Sequence, residues 1–538
     1  MAIDRGMGRK SLLGLGLVLP NLCIDYSSPC RARVWLFHVT MRFKGKRGLS
    51  MKIYSMIFIL SFVMFQGSVF GEDQSDSDLT QKAVQLNQQA LHLREDGKYS
   101  DPKQALDYLD QAIYLYPDFA EAYKNRGLAH LQLGHPRQAV SDLTRVVRLD
   151  SDDADAYYWR GLAYKKMDRY NEAVADYDRA IGLNPGSARY YRNKGVVYKK
   201  MGRYQQAVSA YNEAIRLNPN YALAYLNRGI AFKNLGLYLQ AVADYDEAIR
   251  LDPDSARAYN NRGVAYKKLG EYRRAIEDYD KAIQLSPEYV WAYNNRGVAY
   301  KNLGNYERAI EDYTEAIRLD PAYAWAYLNR GIVLKDLGNF VPALKDLSQA
   351  VKLDPNNAAA YRSRGVVYKK LGNYQQAITD YDMAIYLDPK YAKAYNNRGV
   401  AYKKLGYYRS AIANYDEAIS LNPRYAVAYN NRGVAYKNLG EYLKALADLD
   451  EAISLDPELS IAYANRGNVN RKIKEFEKAF EDYKKAIQLN PNDPMAYDGR
   501  GLIHKSRGQN VQACEDFQKA CELGDCANFT FAKKNGDC

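Results

Sequence analysis

From Ala120 onward the chain alternates short amphipathic stretches with polar breaks. In VWAYNNRGVAYKNLGNYERAIEDYTEAIRLDPAY, Val290 to Tyr323, small and apolar residues fall at spacings of three and four. They run first through Tyr293, Gly297 and Tyr300, then through Ala309, Tyr313 and Ala316. That periodicity predicts two amphipathic helices. Gly304-Asn305 between them signals a turn, and Pro321 stops the second helix. The pattern then repeats without drift, its central glycine standing at 127 and at every thirty-fourth residue to 501. If each unit is numbered 1 to 34, with Val290 at place 1, place 4 is Tyr and place 20 is Ala in all twelve units. Place 27 is Ala except at Val146, and place 32 is Pro except at Ser151 and Asp525. Helices of about 14 residues joined by short turns must pack antiparallel, and units this small bury their apolar faces only by stacking. The prediction is an all-α solenoid without strands.

Tyr293, Gly297, Tyr300, Tyr306, Ala309, Tyr313, Ala316 and Pro321 carry a close resemblance to the tetratricopeptide repeat family. Two places depart from it: Tyr stands at place 4 where Trp is commoner, and Arg at place 7 where Leu is. A degenerate unit precedes the twelve over 83–119, with Ala90 in the glycine place and three extra residues near Tyr99 to Pro102. The resemblance covers roughly 83–527 and implies a right-handed superhelix of helix pairs whose concave groove binds a peptide or protein.

On the first helix of each unit, a wheel at 100° per residue sorts the polar residues into two jobs. Place 7 lies on the packed side. It is Arg in eleven units, among them Arg262, Arg296 and Arg398, and Lys194 in the other. A packed guanidinium requires a carboxylate, and place 23 of the second helix supplies Asp278, Asp312 and Asp380. These form an expected structural ladder between the two helices. The unit with Lys194 also lacks the Asp, having Ala210. Because relatives use Leu at place 7, Arg296→Leu is expected to be tolerated and Asp312→Leu to strand a charge.

Places 6 and 12 lie on the opposite, groove-facing arc. Place 6 gives Asn193, Asn227, Asn261, Asn295, Asn329, Asn397 and Asn431. Place 12 gives Lys199, Lys233, Lys267, Lys301, Lys335, Lys369, Lys403 and Lys437. An amide both donates and accepts, so spaced Asn can hold an extended backbone, and a Lys row favours acidic side chains. The competing reading is a solvated face kept by recent duplication of near-identical units.

The segment MKIYSMIFILSFVMFQGSVFGEDQ from Met51 has the three regions of a secretory signal peptide, with an apolar run too short for a membrane span. The expected organisation is an upstream extension over 1–50, a signal peptide over 51–71, an acidic polar linker over 72–82, the degenerate unit over 83–119, twelve units over 120–527 and a Cys-containing tail over 528–538. The alternative start at Met1 would make the apolar run an uncleaved anchor. Export changes the charge: residues 1–71 hold ten Lys and Arg and two Asp, so the formal net of +13 falls to +5. Nucleic-acid binding then loses most of its support, and no nucleic-acid partner is expected.

Cys514, Cys521, Cys526 and Cys538 cluster in the last 25 residues. In an oxidising compartment they read as one or two disulfides, with Cys526–Cys538 expected to pin the tail over the last helix. No metal-ligand spacing, P-loop, GxGxxG or GxSxG appears in a suitable setting, so no cofactor, metal or catalysis is expected. The expected protein is an exported, periplasmic or secreted scaffold that binds an acidic protein or extended peptide, with no membrane span in the mature chain. An envelope-assembly or secretion subunit, a cytoplasmic adaptor and a polysaccharide-binding groove are the alternatives.

Overall fold

The structure, a computed structural model, describes residues 72–536 and Cys538. The signal-like segment over 51–71 and the extension over 1–50 lie outside the described residues. From Glu72 the chain forms one compact unit. It is an all-α solenoid in which each 34-residue unit contributes an A helix and a B helix.

The unit over 290–323 shows why. Its A helix, α13 (Val290–Asn302), and its B helix, α14 (Tyr306–Leu319), meet where Gly297 faces Tyr313. A Cβ on Gly297 would stand 2.7 Å from the Tyr313 ring, inside contact distance, so the buried aromatic dictates the glycine. Ala309, Tyr313 and Ala316 are fully buried beside it. Successive A helices touch along the array, and successive B helices make no contact of that extent. The array therefore bends with the A helices inside.

The A helix ends where place 15 turns left-handed, as at Gly304 with φ 80°. Ten units use Gly here, but Asp168 and Lys474 adopt φ 57° and 68° in the other two. A side chain in that region is disfavoured by roughly 1–2 kcal/mol. Lys474→Gly should accordingly stabilise its unit by about 1 kcal/mol, read as slower hydrogen exchange in the helices over 460–489. An unchanged or faster exchange would contradict this.

Both ends of the array differ from expectation. Residues 72–82 are not a linker: α1 runs unbroken over Glu72–His92, burying Ala83, Leu86 and Ala90 while residues 76–82 extend it into solvent. The extra residues before α2 (Pro102–Leu115) form a minimal hairpin, β1 (Arg94–Glu95) against β2 (Lys98–Tyr99), around left-handed Asp96-Gly97. Strands were not expected, and this two-residue ladder is the exception among the described residues.

At the other end Cys526 does not pair with Cys538. The disulfides are Cys514–Cys538, with Cα atoms 5.6 Å apart, and Cys521–Cys526. The tail is helical rather than a loose strap, and α27 (Ala527–Lys534) folds back over α25 (Pro494–Ser506) and α26 (Asn510–Glu522). Buried Ala532 and half-buried Phe529 pack on Phe517, and Asn528 donates to Asp498 at 2.7 Å. That path returns Cys538 to the start of α26, while left-handed Gly524 turns Cys526 onto Cys521. Closing a 24-residue loop stabilises the folded end by about 3 kcal/mol. Reduction should speed hydrogen exchange in α25–α27 and leave units before Val400 unchanged, because a linear stack passes disorder only to its neighbours. Cooperative melting of the whole array on reduction would contradict the capping role.

Candidate functional site

Place 7 and places 6 and 12 of the A helices sit in opposite electrostatic settings. On the packed side Arg296 donates to Asp312 at 2.6 Å within its unit and to Asp280 of the preceding unit, also at 2.6 Å. Its guanidinium lies 5.5 Å from the Tyr293 ring, a cation–π contact repeated along the array. Burial opposes the Arg296 charge, but the hydrogen bonds and charges of Asp312 and Asp280 outweigh it and raise its pKa. Burial raises Asp312, which is 4% exposed, with the Arg296 hydrogen bond pulling the other way.

Arg262 makes the same pair with Asp278 at 2.6 Å, and Asp380 is held by Arg364 at 2.7 Å. Arg398 differs, meeting the Asn414 amide at 2.6 Å and Asp382 of the preceding unit at 2.5 Å. Each guanidinium with an acid at place 25 behind it thus bolts two units together, which the pairing with place 23 alone did not anticipate. The signal was present: Asp246, Asp280, Asp382, Asp416 and Asp450 recur at place 25. It also explains Lys194. With Ala210 in place of the usual Asp, Lys194 reaches back to Asp178 at 2.5 Å.

On the inner face the two rows bind each other. Lys267 Nζ donates to the Asn295 Oδ1 of the next unit at 3.0 Å, and Asn295 Nδ2 donates to Asn260 Oδ1 at 3.1 Å. The Lys-to-Asn bond recurs from Lys199 to Asn227 at 2.8 Å, Lys233 to Asn261 at 3.1 Å and Lys403 to Asn431 at 3.4 Å. Asn329 and Asn431 donate to Asn294 and Asn396 of their preceding units. Asn227 and Asn261 donate instead to carbonyls of their own helices, and Asn193 to the Tyr158 hydroxyl. Asn397 makes no such bond among the described residues. Most of the amides expected to hold a ligand backbone are therefore already committed to the joint between units; those that donate once keep one N–H, while Asn193 spends its second on the Arg189 carbonyl.

The lysines keep more capacity. Each ammonium has three donors, and the Asn bond uses one. Among the described residues no carboxylate pairs with Lys199, Lys233, Lys267, Lys369, Lys403 or Lys437, whereas Lys335 pairs with Asp336. Burial, followed by neighbouring cations, lowers Lys199, Lys267 and Lys403 to about 8. Burial also lowers Lys233, Lys301, Lys369 and Lys437. Apart from Lys335, paired with Asp336, and Lys301, which feels the same carboxylate, the inner face is thus a half-buried row of cations without acidic partners, chemically able to hold anionic groups at repeat spacing. Among the described residues no helix is long and apolar enough to cross a membrane.

Models of the tetratricopeptide repeat match residues 154–221, 256–323 and 426–493, and further models of the same repeat match 89–162, 210–243, 235–270 and 333–440. No curated protein is matched by the sequence. Among solved structures, Cut9–Hcn1, a hetero-tetramer of the APC/C, is 14% identical with a TM-score of 0.46, covering 84% of this chain and 93% of that one. Yeast Tom70 is 18% identical with a TM-score of 0.38, covering 71% and 94%. A tetratricopeptide repeat protein from Parabacteroides merdae is 23% identical with a TM-score of 0.40, covering 46% and 98%. With the helix pairs, the 34-residue frame and these repeat matches along most of its length, the chain belongs to the tetratricopeptide repeat family.

Proposed function

We propose that this protein is a non-catalytic scaffold that holds an extended, acidic segment of a partner protein along the inner face of its A helices. The carrying observation is the contrast between its two cation rows. The place 7 cations are neutralised by carboxylates or held by polar partners, while most place 12 lysines face inward without a carboxylate. Burying charge without a counter-ion is unfavourable, so a polyanionic ligand relieves a standing penalty as it binds. The committed asparagines set the repeat spacing at which lysines are offered.

The test is titration of the full chain with a fluorescent oligoglutamate of about ten residues. Binding should weaken steeply with salt, since each exposed pair adds only about 0–1 kcal/mol and the sum is screened. Salt-independent binding, or none, would overturn the reading. Export to an oxidising compartment belongs to the same proposal, supported by the signal-like segment from Met51 and by four cysteines in two disulfides. A mature N-terminus near Glu72 is expected on sequencing the native protein.

A further inference from the structure

Place 2 of the A helix is one of the places that vary between units of the same frame. It reads Arg189, Leu223, Arg257, Trp291 and Trp325 in five consecutive units. Trp291 and Trp325 are 57% and 50% exposed, a large aromatic surface left open at one place in adjacent units. Trp291 packs edge-on against Tyr289 at 5.7 Å, and Tyr289 feels both Arg257 and Asn260, which puts the indole beside the lysine-lined face. Cations bracket the pair. Arg257 acts on Lys199 and Lys233 from one side, and Arg362 acts on Lys369 from the other. Among the described residues the buried Arg362 Nε–H has no hydrogen-bond partner.

Geometry fixes a register. Touching A helices have axes about 8–10 Å apart, and three residues of an extended polyproline-type chain advance about 9 Å. One unit therefore meets every third residue of such a chain. We infer that the segment held here carries two apolar side chains three residues apart, seated on Trp291 and Trp325, with an acidic residue three positions outside the first, facing Arg257, and another beyond the second, met by Arg362 from place 5, one helical turn along from place 2. This rests on the proposed acidic-peptide reading and adds its specificity: the lysine row supplies general attraction, and the Trp pair selects the sequence. Burying an apolar side chain against indole supplies selectivity that charge alone lacks.

The test uses the full chain and three fluorescent peptides of about ten residues. One is all glutamate, one has two leucines three residues apart, and one has the same leucines side by side. The spaced-leucine peptide should bind at least about tenfold more tightly than oligoglutamate, because each leucine buried on an indole adds to the affinity. The adjacent-leucine peptide should gain less. In the Trp291→Ala/Trp325→Ala variant the spaced peptide should fall to the oligoglutamate level, with oligoglutamate binding unchanged. Equal, salt-dependent affinities for all three peptides would overturn the register while leaving the groove reading intact. Binding of none would overturn both. Quenching of indole fluorescence by a neutral oligosaccharide such as maltohexaose, with no effect from the peptides, would replace the peptide by a glycan.

Discussion

Replacing Arg296 by leucine should destabilise its unit by about 3–5 kcal/mol, the range for breaking a buried ion pair from one side. Asp312 is 4% exposed and would lose the cation that holds it at 2.6 Å. This reverses the expectation that leucine is tolerated at place 7. Leucine suits a unit in which place 23 carries no buried carboxylate; here Asp312 is there. The reciprocal change is milder. Asp312→Asn leaves Arg296 its second partner, Asp280, and reproduces the native arrangement of Arg398 with Asn414 and Asp382, so a loss of about 1 kcal/mol is expected. Arg296→Lys with Asp312→Ala copies the unit of Lys194 and Ala210 and should recover most of the loss. Burial already raises the Asp312 carboxyl. In Arg296→Leu it rises further, so the penalty should shrink as acid protonates it. Opening free energies from hydrogen exchange in α13 and α14 check the series, because a stack of units does not melt as two states. Equal losses for Arg296→Leu and Asp312→Asn would contradict the account.

Affinity for an acidic peptide should fall about tenfold or more between pH 7 and pH 9.5. Lys199, Lys267 and Lys403 titrate near 8 in the free protein. A bound anion favours their charged form, so binding takes up protons and weakens as pH rises through the free-protein values; one pKa unit at one lysine is worth about 1.4 kcal/mol. The ligand carboxylates are ionised throughout. The same shifts work in the opposite sense on the free chain. A lysine depressed below its unfolded value binds protons less well when folded, so local stability should rise from pH 8 towards 10. The Lys267→Ser/Lys301→Ser/Lys369→Ser variant should lose much of the salt dependence of binding and the share of the pH dependence that Lys267 carries, keeping that of Lys199 and Lys403. A flat pH profile in the parent protein would show that the row is not the site.

The 34-residue beat made the helices, their antiparallel pairing and the buried glycine–aromatic contact legible, because those features depend on periodicity and volume. The Arg296–Asp312 pair was legible because a packed charge demands a partner. What the helical wheel could not supply was contact between units. A wheel describes one helix, whereas Asp280 and Lys267 reach across a joint whose offset only the stacked structure sets. For the same reason the asparagines read as free groove donors when most of them brace neighbouring units. The ends escaped differently: nothing periodic marks 72–82 or the tail, so a helix that continues and a helix that folds back were both invisible, and the cysteine pairing with them.

The central claim is that the inner face of the A helices is where the ligand lies. Hydrogen exchange of the full chain, free and saturated with an acidic peptide at low salt, tests it most directly. Slowed exchange should appear in the A helices of consecutive units between Ala188 and Leu439, with B helices little changed. Saturable binding that protects only B helices, α1 or the disulfide-pinned tail would contradict it.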